Sequence, residues 1–186
     1  MTVNENHYSG SDISEVLVSA NEISSIVKHI AWRIKSDYGG KPLLIIGIVK
    51  GAFVFLADLV RALDMPVCIT FIKASSYGSS DVSAGKLKID YIDESIDYSS
   101  YHVLIVDEII DTGRTFSELT THYKKKNALS VELCAMFDKP CRRAVPVSVK
   151  YTGKVIPNKF VAGYGLDYAE RYRELPFVGV VRTNDK

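Results

Sequence analysis

The stretch Val103-Leu-Ile-Val-Asp-Glu-Ile-Ile-Asp-Thr-Gly-Arg-Thr115 predicts how the rest of the chain is organised. It opens with four apolar residues, three of them β-branched, as in a strand buried on both faces of a parallel sheet. Two adjacent acids, Asp107 and Glu108, follow where such a strand ends, and Asp111 precedes a helical pattern that starts at Thr112-Gly113-Arg114-Thr115. Open α/β sheets bind ligands at the carboxyl ends of their strands, so we expect a binding site here.

The residue types of this stretch indicate a ligand with both phosphate and hydroxyl groups. A helix start offers unpaired N–H groups and the positive end of the helix dipole to an anion. Thr112 and Thr115 add hydroxyl donors, and Gly113 lets a phosphate approach the backbone closely. Because bare carboxylates would repel that phosphate, the acid pair is expected to bind ribose hydroxyls or a metal ion. The alternative is that Asp111 only caps the helix and the acid pair is solvated.

Length and composition indicate an ordinary globular chain of one domain. The 186 residues include 47% hydrophobic side chains and carry a net charge of +1, which argues against a nucleic-acid-binding protein. The three cysteines lack metal-ligand spacing. We identify no signal peptide and no apolar run of membrane-spanning length, and we therefore expect a reducing, cytoplasmic location.

Strands and helices alternate along the predicted chain, which implies a parallel sheet with right-handed crossovers. Residues 1–12 are polar and predict a loose N-terminal arm, and the small polar residues of 73–86 predict a mobile loop. Helices are predicted from the cap Ser19 to Gly39 and over 52–63 and 115–126. Strands are predicted over 15–18, 43–49, 67–72, 87–91, 103–106, 129–137, 145–155, 160–164 and 177–181.

The central stretch resembles the phosphoribosyl-pyrophosphate motif of type I phosphoribosyltransferases. Over nearly its full length the chain is similar to the bacterial hypoxanthine (hypoxanthine-guanine) members of that family. The resemblance implies an α/β fold in which helices flank a central, mostly parallel sheet, with a small hood and a flexible catalytic loop. It also implies that residues 1–186 form a single phosphoribosyltransferase domain.

By this resemblance, Asp111 is the catalytic residue, which hydrogen-bonds N7 of the purine and manages its proton. The residues that would bind the phosphoribosyl group are Asp107, Glu108, Asp111, Thr112, Gly113, Arg114 and Thr115. Val49-Lys50-Gly51 resembles the pyrophosphate loop, where the family carries a non-proline cis peptide bond before the basic residue. Ser75-Ser76-Tyr77-Gly78 resembles the catalytic loop, with Ser76 and Tyr77 closing over pyrophosphate, and Arg173 would clamp the same group.

Two later segments resemble the purine site. Lys139 would donate to the 6-oxo group, Phe160 would stack on the purine and the Val161 backbone would face the ring edge. Asp167 would complete this pocket and bind a magnesium ion, for which Asp107 and Glu108 are further candidate ligands. Taken without the resemblance, Lys139 would be a surface lysine, Phe160 a core residue, and Asp167 with Arg173 a surface ion pair.

The implied reaction transfers the phosphoribosyl group of phosphoribosyl pyrophosphate to N9 of hypoxanthine or guanine, which gives IMP or GMP and pyrophosphate. Mg²⁺ is the implied cofactor, and a homodimer or homotetramer is expected. One alternative is a regulatory protein of the same fold that binds nucleotide or nucleic acid; another is an orotate- or adenine-type enzyme, which would lack the Lys139 and Asp167 segments. The acid pair departs from the usual Glu-then-Asp order of the family, so we expect one carboxylate to act through water or magnesium.

Overall fold

The computed structural model describes residues 12–76, 87–91 and 95–182, and so nearly all of the predicted N-terminal arm lies outside it. The described elements are β1 (Ile13–Val18), α1 (Ala20–Tyr38), β2 (Leu43–Val49), α2 (Phe53–Leu63), β3 (Cys68–Ser76), β4 (Leu87–Tyr91), β5 (His102–Ile110), α3 (Arg114–Lys125), β6 (Ser130–Asp138), β7 (Tyr151–Val155), β8 (Val161–Ala162) and β9 (Val178–Val181). Short 3-10 helices span Tyr98–Ser100 and Pro140–Arg142. None of the helices in these residues is both long and apolar enough to span a membrane.

The central sheet confirms the predicted fold class. Its described strands have the order β4-β3-β2-β5-β6-β7, and all neighbours are parallel except β3 and β4. The motif strand β5 is fully buried over 103–106. Leu104 and Val106 pack in one cluster with α1 and α2, whereas Val103 and Ile105 pack in another with α3. Burial on both faces explains the unbroken apolar run.

A second, smaller sheet corresponds to the predicted hood. Its strands are antiparallel in the order β1-β9-β8, which joins the beginning of the described chain to its end. A separate apolar cluster that includes Ile13, Leu175 and Phe177 lies against it. Of the predicted base-pocket residues, Val161 lies in β8 and so belongs to this hood.

Three predicted boundaries are wrong by four residues or more. β5 does not end at Val106 but pairs with β6 as far as Ile110, because the two strands keep the same register. The strand predicted from Val145 begins only at Tyr151, since the N–H of Val145 donates instead to O of Thr112. The loop predicted over 73–86 starts later, because β3 continues to residue 76 and pairs there with β4; residues 77–86 lie outside the described part of the chain.

Candidate active site

Three neighbouring strand ends position the candidate site. β2, β5 and β6 end at Val49, Ile110 and Asp138, and the first two strands are adjacent in the sheet. After β2 the chain passes through α2 to β3 on one side, whereas after β5 it passes through α3 to β6 on the other. Connections that leave in opposite directions open a crevice at the carboxyl edge of a parallel sheet, where ligands bind.

The turn after β2 lies against the acid pair. Its Val49–Lys50 peptide bond is cis, as the family resemblance implies. A Cβ built on Gly51 would overlap the carboxylate of Glu108, so glycine leaves the room that this side chain occupies. Gly165, in the hood loop that follows β8, is equally close to this turn, because a Cβ built on it would overlap O of Gly51. The turn is therefore held between the end of β5 and the hood loop.

A carboxylate joins the two cations predicted to bind pyrophosphate. Oε2 of Glu170 lies 2.8 Å from Nζ of Lys50 and 3.5 Å from Nη2 of Arg173. The Lys50 hydrogen bond lowers the pKa of Glu170, so this carboxyl group stays ionised. Arg173 also donates through Nη1 to O of Gly165 at 2.8 Å and pairs through Nη2 with Oδ1 of Asp167 at 2.7 Å. Two predicted segments, 50–51 and 167–173, thus meet in one network.

The two acids at the end of β5 have different surroundings. Burial, and then the adjacent charge of Glu108, raise the pKa of Asp107 well above its usual range. Oδ1 of Asp107 also accepts the N–H of Glu108 at 3.0 Å. Oε2 of Glu108 is buried, and no donor among the described residues bonds to it. A buried acceptor without a donor can receive a ligand hydroxyl or a cation.

The first turn of α3 has the geometry of an anion cradle. Gly113 is its N-cap, has a φ of 80° and offers no side chain to the first N–H groups. Oγ1 of Thr112 lies 3.4 Å from N of Arg114. The first N–H groups of a helix have no partner within the helix, and here glycine leaves them uncovered. A Cβ at Gly113 would lie 2.7 Å from O of Val145, so the close packing behind the cradle also needs glycine.

Two arginines hold Asp111. Its Oδ1 lies 2.8 Å from Nε of Arg142, and its backbone O accepts from Nη1 of Arg143 at 2.9 Å. Arg143 also pairs through Nη2 with Asp138 at the end of β6. Asp111 is therefore tied to the segment that carries Lys139, the predicted base-binding lysine.

The predicted base-binding residues lie together on the hood side of this segment. Lys139 is only 7% exposed, burial lowers its pKa, and its Nζ donates to O of Lys159 at 2.8 Å. Phe160 is 50% exposed and meets Tyr168 edge-on, with ring centroids 5.7 Å apart. Val161 is buried in β8. The surface alternative for Lys139 and the core alternative for Phe160 are both wrong, because the lysine is buried and the phenylalanine is half exposed.

Comparison with known proteins identifies the family. The model of the phosphoribosyl transferase domain matches residues 16–169. The chain belongs to the phosphoribosyltransferase family. One curated relative is the hypoxanthine-guanine phosphoribosyltransferase of Streptococcus pneumoniae (strain ATCC BAA-255 / R6), which is 42% identical over 92% of this chain and 94% of its own length. The bifunctional protein TilS/HprT of Listeria innocua is 41% identical over 92% of this chain, and the chain spans 26% of its length.

Solved phosphoribosyltransferase structures are also similar to this chain. A hypoxanthine phosphoribosyltransferase from Staphylococcus aureus has a TM-score of 0.88 and 37% identity, with 96% of this chain and 97% of that chain covered. A hypoxanthine-guanine phosphoribosyltransferase from Bacillus anthracis has a TM-score of 0.84 and 38% identity, with 91% and 99% covered. Within the phosphoribosyltransferase family, the chain therefore groups with the hypoxanthine-guanine members, as its motifs predict.

Four residues of this phosphoribosyltransferase site are absent from the sequence prediction: Arg142, Arg143, Gly165 and Glu170. The arginines follow Lys139 closely, and a basic cluster after a base-binding lysine is the signal that could have identified them. Gly165 and Glu170 lie inside a predicted segment, but Gly51 and Lys50, which they meet, are distant in sequence. Of the predicted catalytic loop, the backbone of Ser76 ends β3, and Tyr77 lies outside the described residues.

The acids fit a magnesium ion that binds together with substrate. Over 12–76, 87–91 and 95–182, no group of three or more His, Cys, Asp or Glu side chains could hold a metal by itself. Mg²⁺ commonly keeps several waters and takes one or two carboxylates plus substrate phosphates. The buried Oε2 of Glu108 is an oxygen donor of that kind. Asp167 already binds Arg173 and the N–H of Glu170, so it must release a partner to become a ligand.

Proposed function

We propose that this phosphoribosyltransferase acts in purine salvage and transfers the 5-phosphoribosyl group of phosphoribosyl pyrophosphate to N9 of hypoxanthine or guanine. The products would be IMP or GMP and pyrophosphate. The observation that carries the proposal is the convergence, at one crevice, of an anion cradle, an acid pair, paired cations and a buried lysine beside an open aromatic ring. The names of the relatives support the same reaction.

Base recognition would rest on Lys139, Phe160 and Val161. An ammonium group only donates hydrogen bonds, so Lys139 favours the 6-oxo acceptor of hypoxanthine and guanine over the 6-amino group of adenine. Its bond to O of Lys159 fixes Nζ at the residue that directly precedes Phe160. Phe160 would stack on the purine, since its ring is half exposed and is held edge-on by Tyr168. The Val161 backbone would face the ring edge, and Asp167 would close the pocket.

At the ribose, the N9 lone pair forms the new bond to C1 while the bond from C1 to the pyrophosphate oxygen breaks. The departing electrons stay on pyrophosphate, where Lys50 and Arg173 would neutralise the growing charge, with Gly51 and the catalytic-loop residues Ser76 and Tyr77 around it. A bound magnesium ion would supply further positive charge, with Asp107, Glu108 and Asp167 as its candidate ligands. The acid pair would also orient the ribose hydroxyls.

The 5′-phosphate would bind to the first turn of α3 through the backbone of residues 111–115 and the hydroxyls of Thr112 and Thr115. Asp111 lies at the start of the same segment, beside Arg142 and near the base-binding lysine. We assign it the N7 contact. When N9 bonds to C1, the proton on N7 becomes acidic and passes to the Asp111 carboxylate.

Initial rates with hypoxanthine, guanine, xanthine and adenine, each with phosphoribosyl pyrophosphate and Mg²⁺, test this function. We expect turnover of hypoxanthine or guanine and little of adenine. Asp111→Asn should lower turnover by about 10²–10⁴-fold while the thermal transition stays intact. Asp64→Asn, at an exposed pair with Lys35 beyond α2, is the matched control. If none of the four bases gives a product, the proposed enzyme function is contradicted. The alternative of a regulatory protein would then be tested by measuring the binding of nucleotides and nucleic acid.

We further propose a cytoplasmic homodimer or homotetramer. Large apolar side chains that are exposed in the single chain support self-association, above all Trp32 at 68% and Phe53 at 47% exposure. Light scattering during gel filtration measures the oligomer directly. A monomer at micromolar concentration would contradict the proposal.

A further inference from the structure

We propose that Arg142 is a positioning residue that orients the carboxylate of Asp111 for the N7 proton, an inference that rests on the proposed function. Nε of Arg142 lies 2.8 Å from Oδ1 of Asp111 in an ion pair. Oδ1 is buried, and no donor among the described residues has hydrogen-bond geometry to it, so the arginine acts on it through its charge. The arginine sits at the end of the 3-10 helix Pro140–Arg142, immediately after Lys139. It therefore reaches Asp111 from the segment that carries the base-binding lysine.

The backbone around this pair is held firmly enough for one side chain to position the other. We define residues 138–145 as the clamp, because they bond to three successive carbonyls of the motif loop. N of Lys139 donates to O of Ile110 at 3.0 Å, Nη1 of Arg143 to O of Asp111 at 2.9 Å, and N of Ala144 and of Val145 to O of Thr112 at 2.9 and 3.0 Å. With both backbones fixed, the ion pair restricts the rotamers of Asp111.

The chemistry needs this restriction. A carboxylate has two oxygens, and a hydrogen bond to N7 requires one of them at about 2.6–3.2 Å with good alignment. Oδ1 is buried in the ion pair with Arg142, which leaves Oδ2 for the base. As the C1–N9 bond forms and the electron pair of the broken C1–O bond leaves with pyrophosphate, the N7 proton moves to Asp111. Arg142 keeps its own protons throughout, since guanidinium does not titrate in proteins.

A competing role for Arg142 is direct contact with a substrate phosphate, and the two roles predict different kinetics. A positioning residue acts in the transition state, so its loss lowers kcat and leaves the KM of phosphoribosyl pyrophosphate nearly unchanged. A phosphate ligand would raise that KM. In addition, a residue that acts only through Asp111 loses its effect when Asp111 can no longer accept a proton.

The experiment is a double-mutant cycle on the full chain with hypoxanthine as the base. We expect Arg142→Gln to lower kcat about tenfold, with the KM of phosphoribosyl pyrophosphate changed less than about twofold. Arg142→Lys, which keeps the charge but not the planar fork, should recover part of that loss. In the Asp111→Asn background, Arg142→Gln should change kcat by less than about twofold. The control is Arg61→Gln, which removes an exposed arginine paired with Asp58 on α2 and should leave kcat unchanged.

Three results would overturn the inference while the proposed function survives. They are an undiminished tenfold effect in the Asp111→Asn background, a raised KM with unchanged kcat, and no kinetic effect of Arg142→Gln at all. Binding of IMP to each variant, measured by calorimetry, separates a positioning defect from misfolding, because only the latter abolishes product binding. If Asp111→Asn alone is as active as the natural chain, the catalytic assignment of Asp111 fails, and the inference fails with it.

Discussion

The carboxylate of Glu170 lies between the two cations assigned to pyrophosphate, and replacing it with glutamine tests how strongly it competes for them. In the described structure Oε2 is 2.8 Å from Nζ of Lys50 and 3.5 Å from Nη2 of Arg173. Pyrophosphate would have to displace this carboxylate to reach the same nitrogens. Glu170→Gln keeps the shape of the side chain and removes its charge, so we expect pyrophosphate to bind more tightly.

The size of the expected gain in pyrophosphate affinity depends on how exposed the ion pair between Lys50 and Glu170 is. The Lys50 and Glu170 side chains are 66% and 67% exposed, so solvent screens their attraction. Exposed ion pairs are weak, and the longer contact to Arg173 adds less than the contact to Lys50. We therefore expect an increase of about two- to fivefold in the affinity for magnesium pyrophosphate at low ionic strength. Added salt should reduce the difference between variant and natural chain.

Isothermal titration with magnesium pyrophosphate is the assay. Glu174→Gln is the matched control, because it removes the same charge from an exposed position one residue after Arg173 and should change the affinity little. Weaker binding by Glu170→Gln would refute the reasoning and assign Glu170 the opposite role of holding the two cations in place for substrate. The absence of any pyrophosphate binding by the natural chain would instead contradict the proposed function.

Three further predictions concern the turn, the base and stability. Gly51→Ala places a Cβ where the Glu108 carboxylate lies, so kcat/KM for phosphoribosyl pyrophosphate should fall by about tenfold or more in steady-state assays, with little change in Tm. Lys139→Gln should narrow the preference for hypoxanthine over adenine in competition assays, and unchanged discrimination would assign selectivity elsewhere. A hydrogen bond from Tyr151 lowers the pKa of Asp37 in the folded chain. The ionised carboxylate therefore stabilises the fold above the unfolded pKa of Asp37, and this stabilisation is lost as the pH falls through the folded pKa. Denaturant unfolding should find Asp37→Asn less stable at pH 7, by less than about 1 kcal/mol because the side chain is 42% exposed and solvent screens its interactions. The difference should shrink as the pH falls through the folded pKa of Asp37.

Local signals in the sequence predict the centre of the fold and much of the site. The apolar run of 103–106 predicts a doubly buried strand, and Gly113 before a helical pattern predicts a helix start; the structure has both. These features depend on neighbours within a few residues, which is why pattern and spacing suffice. The family resemblance added the cis bond before Lys50 and the grouping of Lys139 with Phe160.

Contacts between distant segments could not be predicted in the same way. Gly51 meets Glu108 from one side and Gly165 from the other, and these three residues come from three separate elements. The raised pKa of Asp107 depends on burial that only the assembled sheet and its loops produce. Likewise, Arg142 reaches Asp111 only because a short 3-10 helix turns the chain back after β6. No periodicity in the sequence carries that information.

The acid pair lies where the apolar side chains of β5 change the face on which they pack, although the register of β5 with β6 is unbroken. Val106 and Ile109 pack in the same apolar cluster, whereas strict alternation would place them on opposite faces. This change falls between Val106 and Ile109, where the N–H of Glu108 bonds to Oδ1 of Asp107. Aspartate readily accepts from neighbouring backbone in this way, and a longer glutamate does so less well. With aspartate first, the carboxylate of Glu108 reaches Gly51, so its buried Oε2 lies at the turn after β2. The aspartate, whose pKa burial raises, makes the backbone bond instead.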